Sequence, residues 1–255
     1  MRIHHTTLGA ALAALVLTAC AAHGGNHHGA HWGYEGESGP AHWGAMSEEF
    51  ALCETGKAQS PIDIDPQSAA AEGKAAISLD YQAGGTEVIN NGHTIQVNFQ
   101  PGSTMSVGAD KFDLLQLHFH HTSEHTVGGK SFPMEMHLVH KSKDGTLAVL
   151  GVLISEGEEN AAIAPVWAAI PGEAGGKAPL ASPISAASLL PASMKTYRYS
   201  GSLTTPPCSE GVRWHVLSES IAFSKAQIDA FASHYSVNNR PVQARNERAP
   251  MVYEN

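Results

Sequence analysis

His118 and His120, one residue apart, form a pair of side chains able to hold a metal ion. In an extended strand side chains alternate, so both imidazoles point to one face and Phe119 to the other. A third imidazole, His137, follows His120 by 137 − 120 = 17 residues, in the apolar run 134–139. That is the spacing of a neighbouring antiparallel strand. Three neutral imidazoles with a fourth position open are the ligand set of a catalytic zinc site. The same parity puts Gln116 on the face of His118 and His120, and Glu135 and Val139 on the face of His137. A metal-bound histidine donates its second ring nitrogen to a carboxylate, amide or carbonyl, and Gln116 and Glu135 stand where they can accept. His-x-His alone is a weak signal, because it recurs on ordinary strands and in other metal hydrolases and cupin-type oxidoreductases. Joined to a same-face Glu-x-His it points to a metal.

Strands must carry these residues. Alternating or continuous apolar runs predict them over 87–90, 94–98, 111–121, 134–140, 148–155, 197–200 and 212–217. The run 148–154 has no polar position and reads as a strand buried on both faces. Asn91-Gly92 is a hairpin-type turn. Helical patterning is sparse: 159–169, and 225–234 with Ser224 as its N-cap. With 25 Gly, 14 Pro and 15% charged residues in 255, the chain reads as mainly β with a few short helices around a large central, mostly antiparallel twisted sheet.

The formal net charge of −9 argues against a nucleic-acid partner. Residues 1–20 read as an export signal. Arg2 precedes an apolar run of 11 residues, 8–18, too short to span a bilayer well. Leu17-Thr18-Ala19-Cys20 resembles a bacterial lipobox, which would make Cys20 a lipidated first residue. Cleavage near Ala21, leaving a soluble periplasmic protein, fits the same stretch. A lipid at Cys20 would be the membrane contact. Removing Cys20 from the three cysteines leaves Cys53 and Cys208, a natural disulfide pair in an oxidising compartment, with two buried thiols as the alternative. Residues 21–31 are rich in Gly and His and read as a tether, and 32–255 as one catalytic domain.

The stretch 201–207, Gly-Ser-Leu-Thr-Thr-Pro-Pro, narrows the chemistry. Together with Leu117-His118-Phe119-His120, Ser123-Glu124-His125, Glu135-Met136-His137-Leu138-Val139-His140 and Asn90-Asn91-Gly92-His93, it closely resembles the α-class carbonic anhydrases. His31-Trp32-Gly33-Tyr34, Gln59-Ser60-Pro61-Ile62-Asp63-Ile64 and Arg240-Pro241-Val242-Gln243 match as well, in the family's order. His121-Thr122 replaces the Trp-Gly of the animal enzymes, which suggests a bacterial branch.

The resemblance implies a zinc lyase that hydrates carbon dioxide reversibly to bicarbonate by attack of zinc-bound hydroxide, with possible side esterase activity. His118, His120 and His137 would bind zinc. Thr204 and Glu124 would orient the nucleophile. Val139, Val149, Leu203, Val212 and Trp214 would wall the carbon dioxide, and Thr205 would help hold bicarbonate. His93 would shuttle the proton, with Asn91 and Gln96 along its path. His93 and Gln96 differ by three, so on one regular strand they would face apart, and the assignment calls for a bulge or twist.

Overall fold

The computed structural model describes residues 31–71 and 76–253. The expected export segment, Cys20 and the tether up to residue 30 lie outside the described residues. Strands run in the order β1 (Asp63–Ile64), β2 (Ala70–Ala71), β3 (Ile77–Asp80), β4 (Ala83–Asn90), β5 (Ile95–Phe99), β6 (Thr104–Val107), β7 (Asp110–His120) and β8 (Thr126–Val127). They continue with β9 (Met134–Ser142), β10 (Leu147–Glu156), β11 (Lys177–Ser185), β12 (Thr196–Ser202), β13 (Glu210–Leu217), β14 (Ile221–Phe223) and β15 (Met251–Tyr253). The four α-helices among the described residues are short: α1 (Trp43–Met46), α2 (Leu52–Thr55), α3 (Ala164–Ala168) and α4 (Lys225–Ala232). Among the described residues no helix is long and apolar enough to cross a membrane.

One large sheet has the order β11-β4-β5-β7-β9-β10-β13-β12-β15-β2, with β14 on β10, and with β6 joining β3 to β7. Most pairs are antiparallel. β10 with β13, β10 with β14 and β15 with β2 are parallel. β1 and β8 form a separate parallel pair.

The sheet's two faces differ in chemistry, and strand parity explains it. On one face Ile95, Val97, Leu117, Phe119, Met136, Leu138, Leu150 and Val152 form the main apolar core. Each fully buried aliphatic side chain there contributes about 2 kcal/mol relative to exposure. The alternate residues Gln96, Gln116, His118, His120, Glu135 and His137 turn to the other face. β10 has apolar side chains on both faces: Ala148, Leu150, Val152 and Ile154 in the main core, Val149 and Leu153 in a second cluster with Trp214.

A bulge sets the parity of β7. Its register against β9 shifts between Leu114 and Gln116, leaving Leu115 unpaired and 42% exposed. Phe112 and Leu114 face the main core before it; Leu117 and Phe119 do so after it. The extra residue therefore flips the strand and delivers Gln116, His118 and His120 to the polar face.

The structure corrects several expected boundaries. The helix expected over 159–169 is only Ala164–Ala168. Asn160 accepts the Ala162 amide on its side chain, and Pro165, which has no amide hydrogen, fits the first helical turn. The second helix ends at Ala232. Its start carries a full capping box, in which Ser224 accepts from the Gln227 amide and Gln227 Oε1 from the Ser224 amide. Strand β11 went unrecognised because Pro179 and Pro183 interrupt it. It lies at the sheet's edge, where a missing ladder donor is tolerated.

Candidate metal centre and active site

β7 and β9 pair antiparallel with His118 opposite His137, His120 opposite Glu135 and Gln116 opposite Val139. That register gathers the three imidazoles, with ring centroids 5.0 Å (118 to 120), 5.2 Å (118 to 137) and 4.5 Å (120 to 137) apart. One nitrogen from each lies within 4.8 Å of the other two.

The outward nitrogens decide the tautomers. His120 Nδ1 is 2.7 Å from the Asn238 carbonyl, which only accepts, so Nδ1 carries the proton and Nε2 keeps its lone pair. His137 Nε2 is 2.9 Å from Glu135 Oε1, a carboxylate oxygen, so Nε2 donates and Nδ1 stays free. His118 Nδ1 is 2.9 Å from Gln116 Oε1, leaving its Nε2 free. His120 Nε2 and His137 Nδ1 then face each other at 3.1 Å, both without a proton. Adding one is opposed by burial, which lowers all three pKa values, that of His120 to about 4 and that of His118 well below 6.5. Two lone pairs at that distance repel unless a cation lies between them. The donor set fits a tetrahedral metal with one position left for solvent or substrate.

Glu135 anchors the surroundings. Its Oε2 accepts from the amides of Glu124 and His125, and Oε1 from His125 Nδ1 at 2.7 Å as well as from His137. Burial pushes its pKa up, but His125 and His137 outweigh it and hold the carboxylate well below its usual range. His125 Nε2 is 2.6 Å from the Tyr199 hydroxyl, itself 2.9 Å from Ser60 Oγ. Two glycines make room. A Cβ on Gly151 would come within 3.1 Å of Glu135 Oε1, and one on Gly201 within 2.1 Å of Ser60 Oγ.

Glu124 is buried beside the triad. Oε1 accepts from the Arg240 amide at 2.8 Å, and Oε2 lies 3.6 Å from His120 Nε2 and 3.9 Å from His137 Nδ1. Burial raises its pKa to about 7 against the pull of His137, the Arg240 amide and the Thr204 hydroxyl. Thr204 is thus near enough to act on the carboxyl, although Oε2 has no hydrogen bond of full geometry. The Thr204 loop is held from behind by the Cys53–Cys208 disulfide, whose Cα atoms are 5.0 Å apart. Fully buried Arg240 braces it too, donating to the Cys53 and Ser60 carbonyls and to Gln59 Oε1.

Val139, Val149, Leu203, Val212 and Trp214 fall into one apolar cluster on the metal side of the sheet, with the Trp214 ring 4.8 Å from that of His137. A cavity of about 150 Å³ reaches two of the three imidazoles, His118 and His120, and is lined as well by Gln116, Gln96, Asn91, His93, Thr205, Trp32 and Tyr34. His93 and Gln96 share it without a bulge between them, because β5 begins only at Ile95 and His93 belongs to the preceding turn. Asn91 Oδ1 accepts the His93 amide at 2.9 Å, and Asn91 Nδ2 donates to Gln96 Oε1 at 3.4 Å. The half-buried His93 ring stacks on Trp32, with centroids 3.7 Å apart and planes at 9°. His121 and His140 point elsewhere, toward the Ser236 carbonyl and the Tyr81 hydroxyl.

Sequence reasoning missed Asn238. Its carbonyl orients His120, while its side chain takes the His121 amide and donates to the carbonyls of His93 and Phe119. No spacing signal announces a backbone carbonyl 118 residues away. Tyr199 and Arg240 were equally silent as to role.

Comparisons with known proteins agree with this geometry. The family model for eukaryotic-type carbonic anhydrase matches residues 38–253. A carbonic anhydrase of Pectobacterium carotovorum is 47% identical over 86% of this chain and 89% of its own. One of Neisseria gonorrhoeae is 45% identical over 93% and 94%. The solved α-carbonic anhydrase of Thermovibrio ammonificans, in complex with the inhibitor sulfanilamide, superposes with a TM-score of 0.86 at 47% identity, covering 88% of this chain and 99% of that one. With that match running through the paired strands and the histidine triad alike, the chain belongs to the α-class carbonic anhydrases, enzymes whose general reaction is the hydration of carbon dioxide.

Proposed function

We propose that the protein hydrates carbon dioxide reversibly to bicarbonate and a proton with a zinc ion held by His118, His120 and His137. The observation that carries this is the pair of proton-free nitrogens 3.1 Å apart, each locked by an outward hydrogen bond. Zinc supplies a water-derived nucleophile at neutral pH, a property for which the carbonic anhydrases are themselves the standard instance.

The chain's own residues do the rest. Glu124 ionises more readily beside a bound cation and, once ionised, only accepts hydrogen bonds. The Thr204 hydroxyl then donates to Glu124 and turns its lone pairs to the cavity, so it accepts from the nucleophile and aims it. Val139, Val149, Leu203, Val212 and Trp214 offer an apolar wall suited to carbon dioxide. Thr205, on the cavity lining, offers a hydroxyl to bicarbonate. His93 accepts the proton released at each turnover and passes it outward, with Asn91 and Gln96 along the way. Activated esters are expected as slow alternative substrates. The Cys53–Cys208 disulfide supports export to an oxidising compartment, the bacterial periplasm or envelope, with Cys20 as the proposed lipid attachment.

The test is stopped-flow carbon dioxide hydration with and without a zinc chelator, beside His118→Ala. Activity is expected in the zinc-loaded protein alone, with inhibition by sulfanilamide. An inactive zinc-loaded protein would refute the proposal.

A further inference from the structure

His31 lies outside the catalytic roles assigned above. It is exposed at the cavity mouth, its ring centroid 6.3 Å from that of His93. Both rings line an outer cavity of about 290 Å³, together with Glu35, His234 and Tyr235. The neighbouring Trp32 is the ring on which His93 stacks.

This placement is anchored. Trp32 packs edge-on against Tyr34 and Trp43, at 5.6 and 5.3 Å. Trp43 is fully buried, and its Nε1 donates to the carbonyls of Gly33 and Ser38 at 2.9 Å. One short segment thus supplies both the plate that holds His93 and a second imidazole on its solvent side.

We infer that His31 is a second proton-relay residue, taking from His93 the proton that His93 has drawn from the active site and passing it to bulk buffer. This rests on the proposed role of His93. Only a proton moves: an N–H bond of His93 breaks, water carries the proton across the gap, and an N–H bond forms on His31. A charge on His31 opposes one on His93 across the 6.3 Å between their rings, which favours clearing His93 for the next cycle. Burial, and then the charge of His31, keep the pKa of His93 below 6.5, which favours release from the inner ring.

The test uses the full zinc-loaded chain in labelled-oxygen exchange between carbon dioxide and water. That experiment reads the interconversion at the metal and the proton-dependent release of labelled water separately. His31→Ala is expected to slow release about threefold and His93→Ala about tenfold, both recovering with added imidazole buffer. The interconversion rate should hold in His31→Ala. If release is unimpaired in His31→Ala but slowed in His93→Ala, the inference falls and the His93 reading stands. If His93→Ala is also unimpaired, both fall. If His31→Ala slows interconversion as much as release, the residue is structural and the relay is refuted.

Discussion

His120 Nε2 stands 3.1 Å from His137 Nδ1 although neither nitrogen has a proton to share. Their outward nitrogens are already committed as donors, to Asn238 and Glu135. The fold holds this contact at a cost in repulsion, which a cation bound between the two nitrogens would convert into binding energy.

Metal removal should therefore destabilise the protein as well as silence it. At a free zinc concentration about 1,000 times Kd, the holoprotein gains about 4 kcal/mol over the apoprotein. Thermal unfolding of chelator-treated protein, before and after zinc is restored, measures the difference. His137→Ala should abolish the zinc-dependent shift, and a shift that survived would exclude His137 as a ligand.

Glu135→Gln should weaken zinc binding about 10- to 100-fold. The carboxylate accepts from His137, His125 and two backbone amides, and an amide cannot accept from all four. Competition with a chromophoric chelator reads the affinity directly, and an unaltered value would count against the orienting role.

At Thr204, serine and valine separate the hydroxyl from the methyl. Thr204→Ser keeps the hydroxyl that the proposed mechanism has donating to Glu124 and should stay close to wild type. Thr204→Val should lose about 100-fold in kcat/KM, the usual scale for removing one preorganised polar contact. Equal losses would mean the side chain acts through packing.

Acid should destabilise the fold through histidines far from the cavity. Burial drives His140 to about 4 and His215 to about 3 from the ordinary 6.5. Both values lie below those of the unfolded chain, so the unfolded state takes up protons first. Stability is full above pH 6.5 and is lost as pH falls toward 4, by up to about 3 kcal/mol for His140 alone. Urea unfolding at pH 7.5 and 4.5 gives the slope. His215→Leu replaces a buried ring with two unpaired nitrogens and should flatten it.

Reduction of Cys53–Cys208 should cost about 2–5 kcal/mol, since the bridge closes a loop of 155 residues. The Thr204 loop is tied by the same bond, so activity should fall at temperatures where the reduced protein is still folded. Hydration rates and circular dichroism, recorded together with and without reductant, separate the two effects.

Much of this site was legible from the chain. Alternation of side chains along a strand is local covalent geometry, so it placed His118 with His120 and Gln116, and His137 with Glu135 and Val139, before any fold was known. The order of motifs around Glu124 and Thr204 then specified the reaction class. Tertiary structure alone decided which atoms meet. Strand register set His118 opposite His137, and the bulge at Leu115 set which face of β7 they share. The path of the chain brought the Asn238 carbonyl to His120, the Arg240 amide to Glu124 and Trp32 beneath His93. Backbone amides and carbonyls are the same in every residue except proline, so no pattern of side chains foretells which of them will orient a ligand. Only closure of the fold across more than a hundred residues selects them.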